Sequence, residues 1–268
     1  EFSLLHRSPT PLTGITKIIG VSVGFLIGLL LSAGYTPSEI FAAVSAAGIV
    51  ELMSDELDMS RLLDRGSGCM GFGHISDFLC SMLDRVEHGY RPTLSAIFTR
   101  TGISLETCGY DVTADEFVHF THIGHPDVCC IELAAITCGV PFLFDRKIFR
   151  GHLFIDGGVI DNFPISLAKS TDRVLGILVK HITRNPPPDG NTTIRQKYDA
   201  ALSMLNQVMQ RLQSNRLVGH LQHPPEVIVI PVNGNESFDF ETVSTIRHRI
   251  DQFSDGFSIA VDHYKKRQ

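Results

Sequence analysis

"IIGVSVGFLIGLLLSAGY" (residues 18–35) sets Ser22 inside an almost wholly apolar run. Three readings compete for it: a membrane span, a buried strand and helix with an incidental serine, or a strand-turn-helix that presents Ser22 as a nucleophile. The run from Ile18 to Ala33 falls short of the ~20 residues a span needs, and Gly20, Gly24 and Gly28 punctuate it. "KIIGV" (17–21) is β-branched and reads as a buried strand, whereas the residues from Gly24 to Gly34 follow a helical pattern. Gly20-Val21-Ser22-Val23-Gly24 therefore falls where strand gives way to helix, the setting in which G-x-S-x-G makes a nucleophile elbow. The two glycines are expected to relieve a crowded turn. The helix start brings free N–H groups and a favourable dipole to any negative charge that develops there.

The rest of the composition bounds the answer. A chain of 268 residues with 43% hydrophobic content has core enough for one large α/β domain. The formal charge of −6 argues against a nucleic-acid binder, which normally carries a basic face, so no nucleic-acid partner is expected. The basic run "YKKRQ" (264–268) reads as a solvated tail and residues 1–14 as an irregular N-terminal segment, with a single domain over 1–268. The 6 cysteines form no paired C-x-x-C units and read as free, mostly buried thiols. An intracellular protein, soluble or peripheral at membranes, is expected.

Downstream, "TPSEIFAAV" (36–44) restarts a helix with Thr36 as N-cap, Pro37 in the first turn and Glu39 at capping-box spacing. "DRGSGCMGFG" (64–73) reads as a glycine loop without the strand or Lys-Ser/Thr of a phosphate cradle. Helices are expected at 93–102, from 127 to Pro141, over 194–217 and over 242–266. Strands are expected at 103–112, 116–120, 152–158, 172–182 and 226–232. Alternating strands and helices imply a largely parallel sheet covered on both faces.

A serine hydroxyl is a weak nucleophile until a base takes its proton. "HLFIDGGVIDNFPIS" (152–166) supplies a candidate: Asp156 ends an apolar strand, and Gly157 and Gly158 let its carboxylate approach another backbone closely. The bland alternatives are a tight turn at Asp156 and helix capping by Asp161 and Asn162. Together with the elbow, this segment resembles the patatin-like phospholipases. "SAGYTPSEI" (32–40), "AAITCGVPFLF" (134–144), "DGGVIDNFPI" (156–165) and the late strand "EVIVIPV" (226–232) followed by "FDF" (238–240) carry the same resemblance, which spans about residues 15–262.

The resemblance implies a three-layer α/β/α sandwich with a mostly parallel sheet, and a Ser-Asp dyad with Ser22 as nucleophile and Asp156 as base. It implies hydrolysis of ester-linked acyl chains from phospholipid or other acyl-ester lipid through an acyl-enzyme, with no cofactor and with a membrane surface as a transient partner. The family also begins with a strand and a Gly-rich loop whose N–H groups form the oxyanion hole. Residues 1–17, "EFSLLHRSPTPLTGITK", contain no such run, so the expectation is that it lies upstream or is missing, leaving the Val23 N–H as a donor. A patatin-like shell that holds a lipid or a protein without turnover therefore stands as the alternative.

Other constellations are weaker. Ser…Asp…His order is met by His181, His220, His223, His248 and His263, of which only His181 reads as lying near a loop after a strand. His119, His122, His125, Cys129 and Cys130 cluster in "HFTHIGHPDVCC" (119–130) without zinc spacing, so no metal is expected there. Asp55, Glu56 and Asp58 lack the pattern of a calcium loop. "CMGFG" (69–73) and "VPFLF" (140–144) are candidate membrane-contacting loops, or ordinary core.

Overall fold

The structure, a computed structural model, describes residues 12–48, 58, 60–61, 68–182, 221–233 and 246–266. The chain divides into two compact units, Glu1–Asn162 and Phe163–Gln268.

In the first unit, β1 (Lys17–Ile19) runs straight into α1 (Val23–Ser32), then α2 (Pro37–Ala47). After these come α3 (Gly73–Val86), α4 (Leu94–Thr101), β2 (Ser104–Asp111), β3 (Glu116–Phe120) and α5 (Cys130–Thr137). The unit ends with β4 (Lys147–Phe149), β5 (His152–Asp156) and the short α6 (Gly158–Asp161). β2 is the hub. It pairs in parallel with β1, Ile18 opposite Leu105, and antiparallel with β3 and with β5, where Gly109 faces Asp156. β4 closes the sheet antiparallel to β5.

Local chemistry explains these boundaries. α1 stops in a Schellman arrangement: Gly34, at φ 101°, donates its N–H to Leu31 C=O and Tyr35 donates to Leu30 C=O. α2 begins with the expected capping box, in which Thr36 Oγ1 accepts from Glu39 N–H and the Glu39 carboxylate accepts from Thr36 N–H. Thr93 caps α4, and Gly102, in the left-handed region, ends it.

β2 carries the packing on both of its faces. On one, Leu105 meets α1 close to Gly28, where a Cβ would lie 3.1 Å from Leu105 Cδ1, and Gly109 lies under Ile136 of α5, 2.8 Å from where its Cβ would be. On the other, Ser104 bonds His122, whose ring stacks on Phe98 of α4. Helices thus cover both sides of the strand, and the interior between them is apolar: Phe25, Leu29, Leu79, Leu83, Leu94, Ile97, Ile103 and Leu133 are buried.

The second unit contains β6 (Leu175–Ile182), β7 (Glu226–Asn233) and α7 (Ile246–Lys265). β6 and β7 pair in parallel along their whole lengths. Gly176 leaves room for the Phe163 ring, which a Cβ would meet at 2.5 Å. His263 of α7 bonds Glu226 of β7 at 2.9 Å.

The α/β class and the parallel pairings around β1–β2 and β6–β7 match expectation; the antiparallel attachment of β3, β5 and β4 was not legible beforehand. α5 stops at Thr137, short of Pro141, whereas α7 runs to Lys265, within one residue of the expected end at Lys266. β4 was missed altogether, and it forms a hairpin with β5 across Arg150 and Gly151, whose φ values of 51° and 84° are those of a type I′ turn. The helix expected at 194–217 lies outside the described residues.

Among the described residues no single helix is long and apolar enough to cross a membrane. α1 and α2 pass that test only together, and they are bent by 120° at their junction. Phe25, Leu29 and Leu30 of α1 are buried in the protein interior.

Candidate active site

The turn after β1 is closed by a hydrogen bond from Gly24 N–H to Val21 C=O at 2.9 Å. Ser22 is its first central residue, at φ 54° and ψ −132°. These angles lie near the first central position of a type II′ turn, about +60° and −120°, a place normally given to glycine. A side chain held there costs about 1–3 kcal/mol and persists only where the surroundings over-determine it.

The surroundings do so from two directions. A Cβ on Gly20 would lie 2.5 Å from the Gly24 carbonyl carbon and oxygen and 2.6 Å from Phe25 N, so only glycine lets β1 fold back onto the first turn of α1. From below, Ser22 N–H donates to Thr137 Oγ1 at 3.0 Å, and Thr107 Oγ1 donates to the same oxygen at 2.8 Å. Both threonines are fully buried. Gly24 departs from expectation: a Cβ there would meet nothing within 4 Å, so the turn does not need it bare.

Asp156 ends β5, two strands across the sheet from β1. Its N–H donates to Gly139 C=O at 3.0 Å, just past the end of α5. Gly157 packs against β2, where a Cβ would lie 2.6 Å from Cys108 C=O; glycine is required. Gly158 N–H donates to Asp156 Oδ1 at 2.7 Å. The Ser22 side chain lies near the same carboxylate and favours its charged form, and both residues hang from the turn at 137–139, Ser22 N–H on Thr137 and Asp156 N–H on Gly139.

Asp156 is 3% exposed, and burial pushes its pKa up to about 7 against the opposing pull of the Gly158 N–H and the Ser22 side chain. A carboxyl balanced near neutrality can take a proton and give it back. Cys138 lies close to this centre, and burial, with Asp156 close by, raises the pKa of its thiol strongly. Burial raises the Cys108 thiol in the same way. Neither sulfur is a ready thiolate.

At the mouth, Val23 is 61% exposed, and among the described residues its N–H, the first of α1, has no acceptor. Ser22 N–H is turned inward to Thr137. One free backbone N–H, at the positive end of a helix, thus stands beside the Ser22 hydroxyl.

The remaining candidates lie elsewhere. His181 belongs to β6, opposite Val232, and not to a loop, and His263 is engaged with Glu226; His220 lies outside the described residues. His119 pairs with Glu106 at 2.8 Å, His122 stacks on Phe98, His125 lies against Phe120, and Cys130 is buried. The three histidines of that stretch have separate neighbours, and among the described residues no three metal-binding groups converge. Asp58 accepts from Ser60 N–H and Oγ in a local turn, while Asp55 and Glu56 lie outside the described residues. Asp161 closes α6, and the short 3₁₀ turn at Ile165–Leu167 has no side-chain cap. The two candidate membrane loops pair with each other instead: Met70 bridges Phe144, and Cys69, Met70, Leu143 and Phe144 are buried. Only Phe142 stands out, 54% exposed.

Thr107, Thr137 and Cys138 were missed from the sequence. The helix that seemed to continue to Pro141 hid the turn at 137–139, although the Cys-Gly-Val-Pro that follows Thr137 is a helix-breaking run.

Comparison with known proteins points the same way. The family described as patatin-like phospholipase matches residues 6–169. The chain is 29% identical over 155 residues to "Probable lipid hydrolase 463L" of Invertebrate iridescent virus 6, covering 58% of this chain and 53% of that protein. It is 24% identical over 172 residues to an uncharacterized protein of Acanthamoeba polyphaga mimivirus, covering 64% of this chain and 57% of that one. The chain thus spans a little over half the length of the curated relatives it matches.

Proposed function

Since the chain belongs to the patatin-like phospholipase family, we propose that it is a lipid acyl hydrolase of the phospholipase A type, a serine esterase working through Ser22 and Asp156. The observation that supports this most is the convergence of Ser22 and a buried Asp156 on one turn, Ser22 N–H held by Thr137 and Asp156 N–H by Gly139, with burial raising the Asp156 carboxyl to about 7. The viral relative named as a lipid hydrolase adds support. Substrates are phospholipid or other acyl-ester lipids, met at a membrane surface. The reading treats the whole chain as one catalytic domain.

In this reading Ser22 Oγ attacks the ester carbonyl carbon as Asp156 takes its proton. The oxyanion of the tetrahedral intermediate meets the Val23 N–H and the start of α1. The intermediate collapses, the C–O bond to the alcohol breaks, and protonated Asp156 returns its proton to the leaving oxygen. Asp156, again ionised, draws a proton from water as the water attacks the acyl-Ser22 ester; when the new intermediate collapses, the Ser22 Oγ–carbon bond breaks, Asp156 passes that proton to Ser22 Oγ, and the fatty acid leaves. A carboxylate is a poor base for an alcohol in water; burial, proximity and a raised pKa together make it adequate here.

A non-catalytic lipid- or protein-binding module is the second reading, favoured by the one free N–H that the described residues place beside Ser22, since losing one oxyanion donor can cost ~100 to 1,000-fold in rate. A serine-directed fluorophosphonate separates the two. Labelling at Ser22 with hydrolysis of a short-chain ester supports the enzyme, and a folded protein that neither labels nor hydrolyses supports the module.

A further inference from the structure

The turn at 137–139 holds the backbone of both reactive residues. Thr137 Oγ1 accepts Ser22 N–H at 3.0 Å, and two residues on, Gly139 C=O accepts Asp156 N–H at 3.0 Å. Thr137 is itself tied to β2 by Thr107 at 2.8 Å. β2 is the strand that lies between β1 and β5 and pairs with both.

The Ser22 N–H is the polar group most easily orphaned by the strained turn. At positive φ it cannot join the β1–β2 ladder, and no helix carbonyl lies before it. A hydroxyl can accept two hydrogen bonds at once, so Thr137 accommodates both Ser22 and Thr107. Valine would fill the same volume and accept neither.

We infer that Thr137, anchored by Thr107, is the positioning residue that holds the Ser22 backbone in its left-handed conformation and so sets the spacing between the nucleophile and Asp156. Neither threonine touches substrate; they act through Ser22. The inference rests on the proposed dyad.

The test compares Thr137→Val, Thr137→Ser and Thr107→Val with wild type for short-chain ester kinetics, for the rate of fluorophosphonate labelling at Ser22, and for thermal midpoint. Thr137→Val should lower kcat by about 10- to 100-fold, the scale set by small misplacements of reacting groups. KM should stay within about twofold, because ground-state binding is not what is lost. Labelling should slow in parallel. Thr137→Ser keeps the acceptor and should recover to within about threefold of wild type, on the same argument. Thr107→Val keeps Thr137 and frees its hydroxyl, so a drop of about 3- to 10-fold is expected.

Thr137→Val behaving as wild type overturns the inference, as does Thr137→Ser as impaired as valine, which would assign the effect to packing. Thr107→Val indistinguishable from wild type overturns the anchor, and this variant carries the test if Thr137→Val does not fold. A wild-type Ser22 that never labels removes the dyad and this inference together. A labelled wild type with an equally labelled Thr137→Val removes the inference alone.

Discussion

Gly158 N–H donates to Asp156 Oδ1 at 2.7 Å, from the residue that opens α6. That bond ties the carboxylate to the chain that leaves β5 and fixes its orientation toward Ser22. A Cβ on Gly158 would lie 3.0 Å from the same oxygen and 2.9 Å from Asn162 Oδ1, so a side chain there would crowd the acceptor it serves. The D-G-G run is thus two separate demands: Gly157 for the approach to Cys108 and Gly158 for the approach to Asp156.

The first prediction concerns the dyad. Ser22→Ala and Asp156→Asn should each reduce ester hydrolysis by at least about 1,000-fold, as removal of a nucleophile or its base does in other serine hydrolases. Circular dichroism should be unchanged. His181→Ala should stay within a few-fold of wild type, since β6 holds that residue in a ladder and not in a loop. An His181 variant as damaged as Ser22→Ala, with its secondary structure intact, would refute the dyad.

The pH dependence follows from the raised carboxyl. Asp156 must be ionised to accept the proton, so kcat/KM should rise with pH through about 7. Stability runs the other way. Because the folded state raises this pKa from 3.8 to about 7, the native chain keeps a proton that the unfolded chain has released. The stabilisation is full below the unfolded value and is lost as pH rises through the folded one. Asp156→Asn stays neutral and escapes that loss. It should therefore gain on wild type in urea denaturation between about pH 4 and pH 8, by at most about 4 kcal/mol if the whole shift is realised. A constant difference across that range would contradict the buried-carboxyl assignment.

The elements legible beforehand were those whose signal is local. β1 and α1 announced themselves by a β-branched run giving way to helical spacing, and α2 by Thr36, Pro37 and Glu39. Ser22 and Asp156 stood out because glycines flank Ser22 on both sides and two glycines follow Asp156, each at a strand end. What stayed hidden depends on partners distant in sequence. Thr137 looks like one more helical residue until Ser22 and Thr107 are placed beside it. β4 has only three residues, and Arg150-Gly151 is an unusual occupant of a turn that prefers Asn-Gly or Asp-Gly. The antiparallel pairing of β5 on β2 is fixed by where Gly109 and Asp156 meet, which no periodicity encodes.

A cap prediction tests the helix beyond the elbow. Thr36 both accepts from Glu39 N–H and, through its own N–H, donates to the Glu39 carboxylate. Thr36→Ala should cost about 1 kcal/mol of stability, read as a lowered urea midpoint with unchanged slope. Ester hydrolysis under native conditions should be unaffected, because α2 contributes no group to the reacting centre.

The last prediction separates three glycines that look alike in sequence. Gly20→Ala would drive a methyl to 2.5 Å from the Gly24 carbonyl, and Gly157→Ala would drive one to 2.6 Å from Cys108 C=O. Both neighbours are backbone and cannot rotate away, so β1 would have to separate from α1, or β5 from β2. Each substitution should cost at least the ~1–3 kcal/mol of an overpacked core, seen as a lowered thermal midpoint, together with loss of Ser22 labelling. Gly24→Ala meets no atom within 4 Å and sits in a helix, where alanine is favoured over glycine by about 1 kcal/mol. It should raise the midpoint and leave the Ser22 conformation alone, any change in activity then coming from a methyl added near the mouth of the site. If Gly24→Ala destabilised the fold as much as Gly20→Ala, the turn geometry described for Val21–Gly24 would be wrong, and with it the account of how Ser22 is presented.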